Sequence, residues 1–333
     1  MTERSFFRSS LFKVLVFLAG TFLLGALFAP PLYFWGKHAV AEKTLAGGWL
    51  DGLHGSLDRA QFSRYFNRAI LLGALVMLWP TLRWLNTGKR NPKSRRLSPT
   101  ALREHLLLDP NPIWWRHLFL GFFIAGGSLL LLGWIYVQGG WYLSRDPGKP
   151  LLRILASALG TGVAVGLLEE FVFRGALQSV ASRVLRPKSL LWVIAIFFAV
   201  VHFLVAPKSL NAETVTMGSG FWMVGEIFAH FFAQFANPSF LLAEFAVLLS
   251  IGLVLGYTRM KTGSLWLGIG LHAGWVFGVK TLSPLTERNF ESAAMMPWLG
   301  DNLRVGAISC IVVSLTGLAI WISLRNKYPS PFR

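Results

Sequence analysis

Cysteine is almost absent from this chain, with a single residue, Cys310, in 333. One thiol makes an intramolecular disulfide impossible and excludes a cysteine-ligated metal cluster. Acidic residues are also scarce, 15 against 32 Lys and Arg, and charged residues of both signs make up only 14% of the chain, where a soluble domain carries roughly 25%. The zinc-protease pattern His-Glu-x-x-His does not occur. No repeat of fixed period and no low-complexity segment stands out. The formal net charge of +17 would point to nucleic acid in a soluble protein. Here the basic residues gather in short loops between apolar runs, where the positive-inside bias accounts for them, so nucleic acid is set aside as a partner.

What remains is apolar: 54% of residues are hydrophobic and the mean hydropathy is +0.53. A bilayer crossing needs about 20 such residues in a row. Runs of that kind occur near 11–33, 66–85, 117–137, 151–175, 189–206, 240–257, 263–280 and 304–324. The expectation is an all-α, polytopic protein of the cell membrane with about eight spans around a polar intramembrane cavity. The loop carrying Lys89, Arg90, Lys93, Arg95, Arg96 and Arg103 reads as cytoplasmic, and so do those with Arg183, Arg186 and Lys188, with Arg259 and Lys261, and with Arg325, Lys327 and Arg333. Loops holding Asp51 and Asp58, Asp146, Glu213, and Glu287, Glu291 and Asp301 then fall outside, which puts both termini in the cytoplasm. Basic Arg4, Arg8 and Lys13 ahead of the first run leave a cleaved signal segment as the alternative there. The basic, proline-containing stretch 86–116 reads as a linker that can lie on anionic lipid. Within the outer segment 207–239, the run Trp222–Phe235 is too short to cross and reads as an interfacial or re-entrant helix. The expected division is an N-terminal transmembrane region over 1–150, a catalytic helical core over 151–280, and a last span with its tail over 281–333.

Charges inside such spans are expensive and mark functional sites by default. The run from Leu151 to Leu168 holds only Arg153 as a charge, and then Glu169, Glu170 and Arg174 arrive together. On a helix Glu170 and Arg174 are four residues apart with the acid first, the favoured orientation for an ion pair. Glu169 is rotated by about 100° from its neighbour and need not share that arginine. A carboxylate held by an arginine is a poor base, so Glu169 is the better candidate to take a proton from water. A packing triad with no chemical role is the competing reading. His202 on the fifth run and His272 on the seventh alter that balance. Measured as helical rise from the nearest loop cation, Glu169, His202 and His272 lie at ~21, ~21 and ~17 Å, which suits one shared cavity.

Glu-Glu-x-x-x-Arg at 169–174, Phe-x-x-x-His at 198–202 and a further histidine at 272 resemble the CAAX protease and bacteriocin-processing (CPBP) family of intramembrane proteases, which includes type II CAAX prenyl endopeptidases. The likeness covers roughly residues 150–280. It implies Glu169 as the water-activating glutamate, Glu170 and Arg174 as its supporting pair, His202 and His272 as active-site histidines, and Phe198 as the first residue of the histidine motif. One departure is visible: the family commonly has Asn or Asp four residues after the last histidine, where this chain has Val276.

Peptide hydrolysis needs a base for water and donors aimed at the developing oxyanion; Glu169 suits the first role and the imidazoles the second. The preferred reading requires no cofactor. The alternative is Zn2+ on Glu169, His202 and His272, a two-histidine, one-carboxylate set. Expected partners are the bilayer and a membrane-embedded or lipid-tethered protein substrate. Two readings from other classes stay open: an ion-coupled transporter built on the glutamate pair, against which stands the lack of an inverted repeat, and a catalytically lapsed immunity or scaffold protein, which Val276 favours. Glu226 with His230 reads as a solvated interfacial pair, and Glu244 as a residue near the headgroups. Gly160, Gly162 and Gly166 read as a surface for close helix approach.

Overall fold

The computed structural model describes residues 10–44, 51–85, 106, 108–182, 185–204, 206–207, 214–292 and 294–328. Most of the basic stretch expected over 86–116 therefore lies outside the described residues, as do Arg4, Arg8, Arg183, Glu213 and Arg333. The chain is mostly helical, with five helices long and apolar enough to cross a membrane among the described residues. These spans are Leu15–Ala41, Trp114–Gln138, Leu151–Leu177, Pro238–Thr262 and Ala307–Leu324. The other three expected spans are also helical, over Phe62–Leu85, Pro187–Val201 and Trp266–Leu285. Each of these is shorter or less apolar than the five. Phe62–Leu85 carries Arg64, Arg68 and Arg83, and Pro187–Val201 has only 15 residues.

Packing divides the chain into two compact units that interleave in sequence, residues 1–90 with 203–236, and residues 91–202 with 237–333. The first unit holds α1 (Ser10–Ala41), α2 (Asp51–Asp58), α3 (Phe62–Leu85) and α8 (Ser219–Ala233). α1 and α3 approach closely because Gly73 presents no side chain to the carbonyl of Thr21, where a Cβ would sit 2.8 Å from the oxygen. α8, the helix expected in the outer segment, buries Met223 and Ile227 against Ala26, Ala29, Phe62 and Phe66.

The second unit contains α4 (Trp114–Gln138), α5 (Leu151–Glu170), α6 (Gln178–Ala181), α7 (Pro187–Val201), α9 (Pro238–Thr262), α10 (Trp266–Leu285), α11 (Met296–Leu299) and α12 (Ala307–Leu324). Strands β1 (Tyr142–Ser144) and β2 (Thr286–Arg288) pair antiparallel, Tyr142 opposite Arg288. α10 is the central helix. Its Gly270 and Gly274 lie against the Leu118 and Phe122 carbonyls of α4, and its Ala273 backbone lies against Gly162 and Gly166 of α5. Without a water-driven hydrophobic effect between helices in lipid, such small-residue contacts supply the packing. Gly160, grouped with these two on the sequence, has open space beside it. α9 packs on α7 through Gly252 against Ala195, and ends at Gly263, whose φ of 64° closes the helix in the left-handed conformation that glycine adopts without strain.

Candidate active site

α5 does not end at Glu170. The chain continues without a break into a π-helix over Phe171–Leu177, confirmed at its far end by the Gln178 amide donating to the Phe173 carbonyl five residues back. π segments are rare and frequently occur at functional sites. The spacing of the motif gives no sign of it. The wider turn carries Arg174, which is fully buried, and follows directly on the glutamate pair.

Arg174 Nη1 donates to Glu170 Oε1 at 3.0 Å, with the two side chains 0% and 1% exposed. The guanidinium also lies over the Phe198 ring, 4.3 Å from its centre, and its Nη2 reaches the Gly252 carbonyl of α9 at 3.5 Å. A buried charge needs a partner and further hydrogen bonds to be tolerated, and this one has both. Phe198, 1% exposed, also packs its ring 4.3 Å from that of His202, the planes inclined at 54°, and stands edge-on to His272 at 6.0 Å. It forms the apolar wall between the arginine and the two imidazoles.

The two histidines converge on Glu169. His202 Nε2 is 3.5 Å and His272 Nε2 is 3.7 Å from Glu169 Oε2. Their other nitrogens are engaged elsewhere. His202 Nδ1 donates to the Phe198 carbonyl at 2.7 Å, and because a carbonyl only accepts, that nitrogen carries the proton. His272 Nδ1 donates to Glu170 Oε1 at 3.0 Å. The Nε2 of each imidazole thus faces Glu169 Oε2, an atom that is itself buried without a hydrogen-bond partner. Glu169 and His202 are 21% and 22% exposed, so the site is reachable from one side, whereas His272 at 7% is enclosed.

All six residues singled out on the sequence, Glu169, Glu170, Arg174, Phe198, His202 and His272, thus meet in one place. One relation is additional. Glu170 is held by Arg174 but also backs His272, so the third helix is keyed to both glutamates. Only the fold brings a residue 102 positions away to the same oxygen that Arg174 holds. Glu170 Oε2 is accommodated because α10 has glycine at 268, where a Cβ would sit 2.8 Å from it. Sequence reading passes over Gly268; its place one helical turn before His272 is the only mark it carries. Glu226 is half-buried and His230 exposed on α8, while Glu244 pairs with Arg304 at 2.6 Å. Among the described residues no group of three or more His, Cys, Asp or Glu side chains is arranged to enclose a metal ion.

A helical membrane protein with a buried glutamate pair, its arginine and two imidazoles closing on one carboxylate oxygen belongs to the class of proteins that keep polar chemistry within apolar helices. The comparison with known families narrows this class. Residues 151–278 match the family described as Rce1-like, type II CAAX prenyl endopeptidase, and the matched segment contains all six site residues. No curated protein and no solved structure matches the chain.

Proposed function

We propose that the protein is an intramembrane endopeptidase of the cell membrane. It hydrolyses a peptide bond of a membrane-embedded or lipid-tethered substrate, near a C-terminus or a leader, using a water activated by Glu169. The observation that carries this reading is the convergence of Glu169 Oε2 with the two imidazole Nε2 atoms at 3.5 and 3.7 Å. A water beside Glu169 Oε2 and His202 Nε2 donates a hydrogen bond to each and keeps a lone pair for the substrate carbonyl. As its oxygen bonds to the carbonyl carbon, Glu169 takes one proton, and it returns this proton to the leaving amine when the C–N bond breaks. The oxyanion needs a donor, and with both Nδ1 atoms engaged only a doubly protonated imidazole offers an Nε2–H. That role falls to His272, whose Nδ1 is backed by a carboxylate, as is the catalytic-triad histidine when it carries a second proton. Arg174 fixes Glu170, and Glu170 fixes His272. His272 then supplies the donor for which position 276 has only Val.

Glu169, His202 and His272 are donor types that zinc takes, and zinc held by them would polarise a carbonyl and a bound water, but among the described residues no three such side chains are arranged to enclose a metal ion. The proton steps above do not require it. Activity that is lost in chelator and restored by zinc alone would replace the metal-free reading. The decisive experiment compares the membrane proteome of a deletion strain with that of strains carrying wild type or Glu169→Gln. An uncut precursor should accumulate in the deletion and persist with Glu169→Gln at normal protein level. Full processing by that variant would overturn the mechanism, and the absence of any precursor would favour the lapsed scaffold reading that Val276 supports.

A further inference from the structure

Leu106 lies outside the segment that matches the family, yet it touches the π segment that follows the glutamate pair and also α9. It is 1% exposed. Its carbonyl accepts from Ser179 Oγ, just beyond the π segment, and from Arg259 Nη2 of α9 at 3.1 Å. Its side chain fills the space at Gly175 in the π segment, with Cδ1 3.7 Å from where a Cβ would lie, beside Leu265. The chain that follows is fastened as well. The Asp109 amide donates to the Gly263 carbonyl at 2.9 Å, and Asn111 Nδ2 donates to Ser264 Oγ at 3.1 Å.

These contacts matter because the π segment separates Ser179 from the glutamates. A return to α geometry over Phe171–Leu177 would rotate the following residues by on the order of 100°. Ser179 would then leave the Leu106 carbonyl, and Gln178 Nε2 would leave the Gly256 carbonyl that it reaches at 3.2 Å. One main-chain carbonyl therefore holds the end of the π segment in register with α9, the helix whose Gly252 carbonyl receives Arg174. We propose that Leu106 is a positioning residue for the peptidase reaction: by clasping Ser179 and Arg259 and filling the space at Gly175, it holds the π register that presents Arg174 and Glu170 to His272. The reaction part of this inference rests on the endopeptidase reading above; the register part stands on the contacts alone.

Two readouts on the full chain in detergent micelles test it. The first is the 15N signature of His272 among the seven histidines, assigned by its disappearance in His272→Gln. The second is cleavage of a prenylated peptide ending in a CAAX sequence. Leu106→Ala and Ser179→Ala should lose the Nδ1–H signal of His272 bonded to carboxylate and lower kcat about tenfold at unchanged KM, as expected when reacting groups are misplaced while substrate binding stays intact. Leu106→Met should restore both. Ser179→Ala removes only a hydroxyl, so it carries the test where Leu106→Ala does not fold. If both variants keep the wild-type His272 signal, or if Leu129→Ala in the packed core disturbs it equally, Leu106 has no positioning role. Failure of the endopeptidase reading looks different: no variant, wild type included, cuts any substrate, while the His272 signal still reports on Leu106.

Discussion

Arg174, Glu170 and His272 form a chain of charge-assisted contacts with almost no exposure to solvent, and Glu169 and His202 close it on the accessible side. Removing the cation leaves a carboxylate buried without its countercharge. Arg174→Met should therefore destabilise the protein by about 3–5 kcal/mol, seen as a lower midpoint of thermal unfolding in detergent, and should abolish cleavage. Glu169→Gln is different in kind, because Glu169 is partly exposed and its Oε2 makes no hydrogen bond that the fold depends on. It should stop the reaction at unchanged unfolding temperature, and a matching loss of stability would mean that Glu169 is a packing residue. Gly268→Ala pushes a methyl group toward Glu170 Oε2. It should cost about 1–3 kcal/mol by overpacking and reduce turnover through His272 rather than through the base. A deletion-strain complementation assay read beside the unfolding curve separates the two effects.

Helices in this protein are placed by what their glycines leave out. A Cβ at Gly270 would enter the Leu118 carbonyl of α4, and one at Gly274 would enter that of Phe122. Backbone atoms cannot yield as a side chain does, so Gly270→Ala should force α4 and α10 apart and destabilise by about 3 kcal/mol or more. Gly160 faces open space on α5, and there Gly160→Ala should be neutral or stabilising by up to about 1 kcal/mol, because alanine restricts the unfolded chain and favours helix. The two unfolding midpoints should move in opposite directions. Similar losses for both would remove the case for glycine-mediated contact. On the sequence Gly160, Gly162 and Gly166 look alike because they share only a spacing, and the partner helix is what distinguishes them. The π segment is hidden for a related reason: Glu170 and Arg174 keep their four-residue relation, while the extra width of the turn appears only in the hydrogen bonds of the backbone.

Across the whole chain, apolar helices and basic loops define a membrane protein, and the two packing units interleave so that residues 203–236 join the N-terminal helices. The alternation of basic loops predicts that both termini share the cytoplasmic side. With Cys310, the only native thiol, replaced by Ser, a membrane-impermeant maleimide should label Ser144→Cys in intact cells and Lys327→Cys only after permeabilisation. The reverse pattern, or labelling of both in intact cells, would overturn the orientation. Much was legible from amino-acid order: the apolar runs and the five ionisable candidates, Glu169, Glu170, Arg174, His202 and His272, follow from which residues are ionisable within apolar stretches, since lipid tolerates a charge only where it is used or paired, while Phe198 enters through the family likeness. Order alone did not decide which partner each charge takes. Glu170 lies next to Glu169 in the chain, yet it bonds His272, 102 residues away, because α10 crosses α5 where Gly162 and Gly166 let the backbones meet. Hydrogen bonds act over about 3 Å, so the tautomers, the convergence on Glu169 and the clasp at Leu106 exist only once helices distant in sequence are packed together.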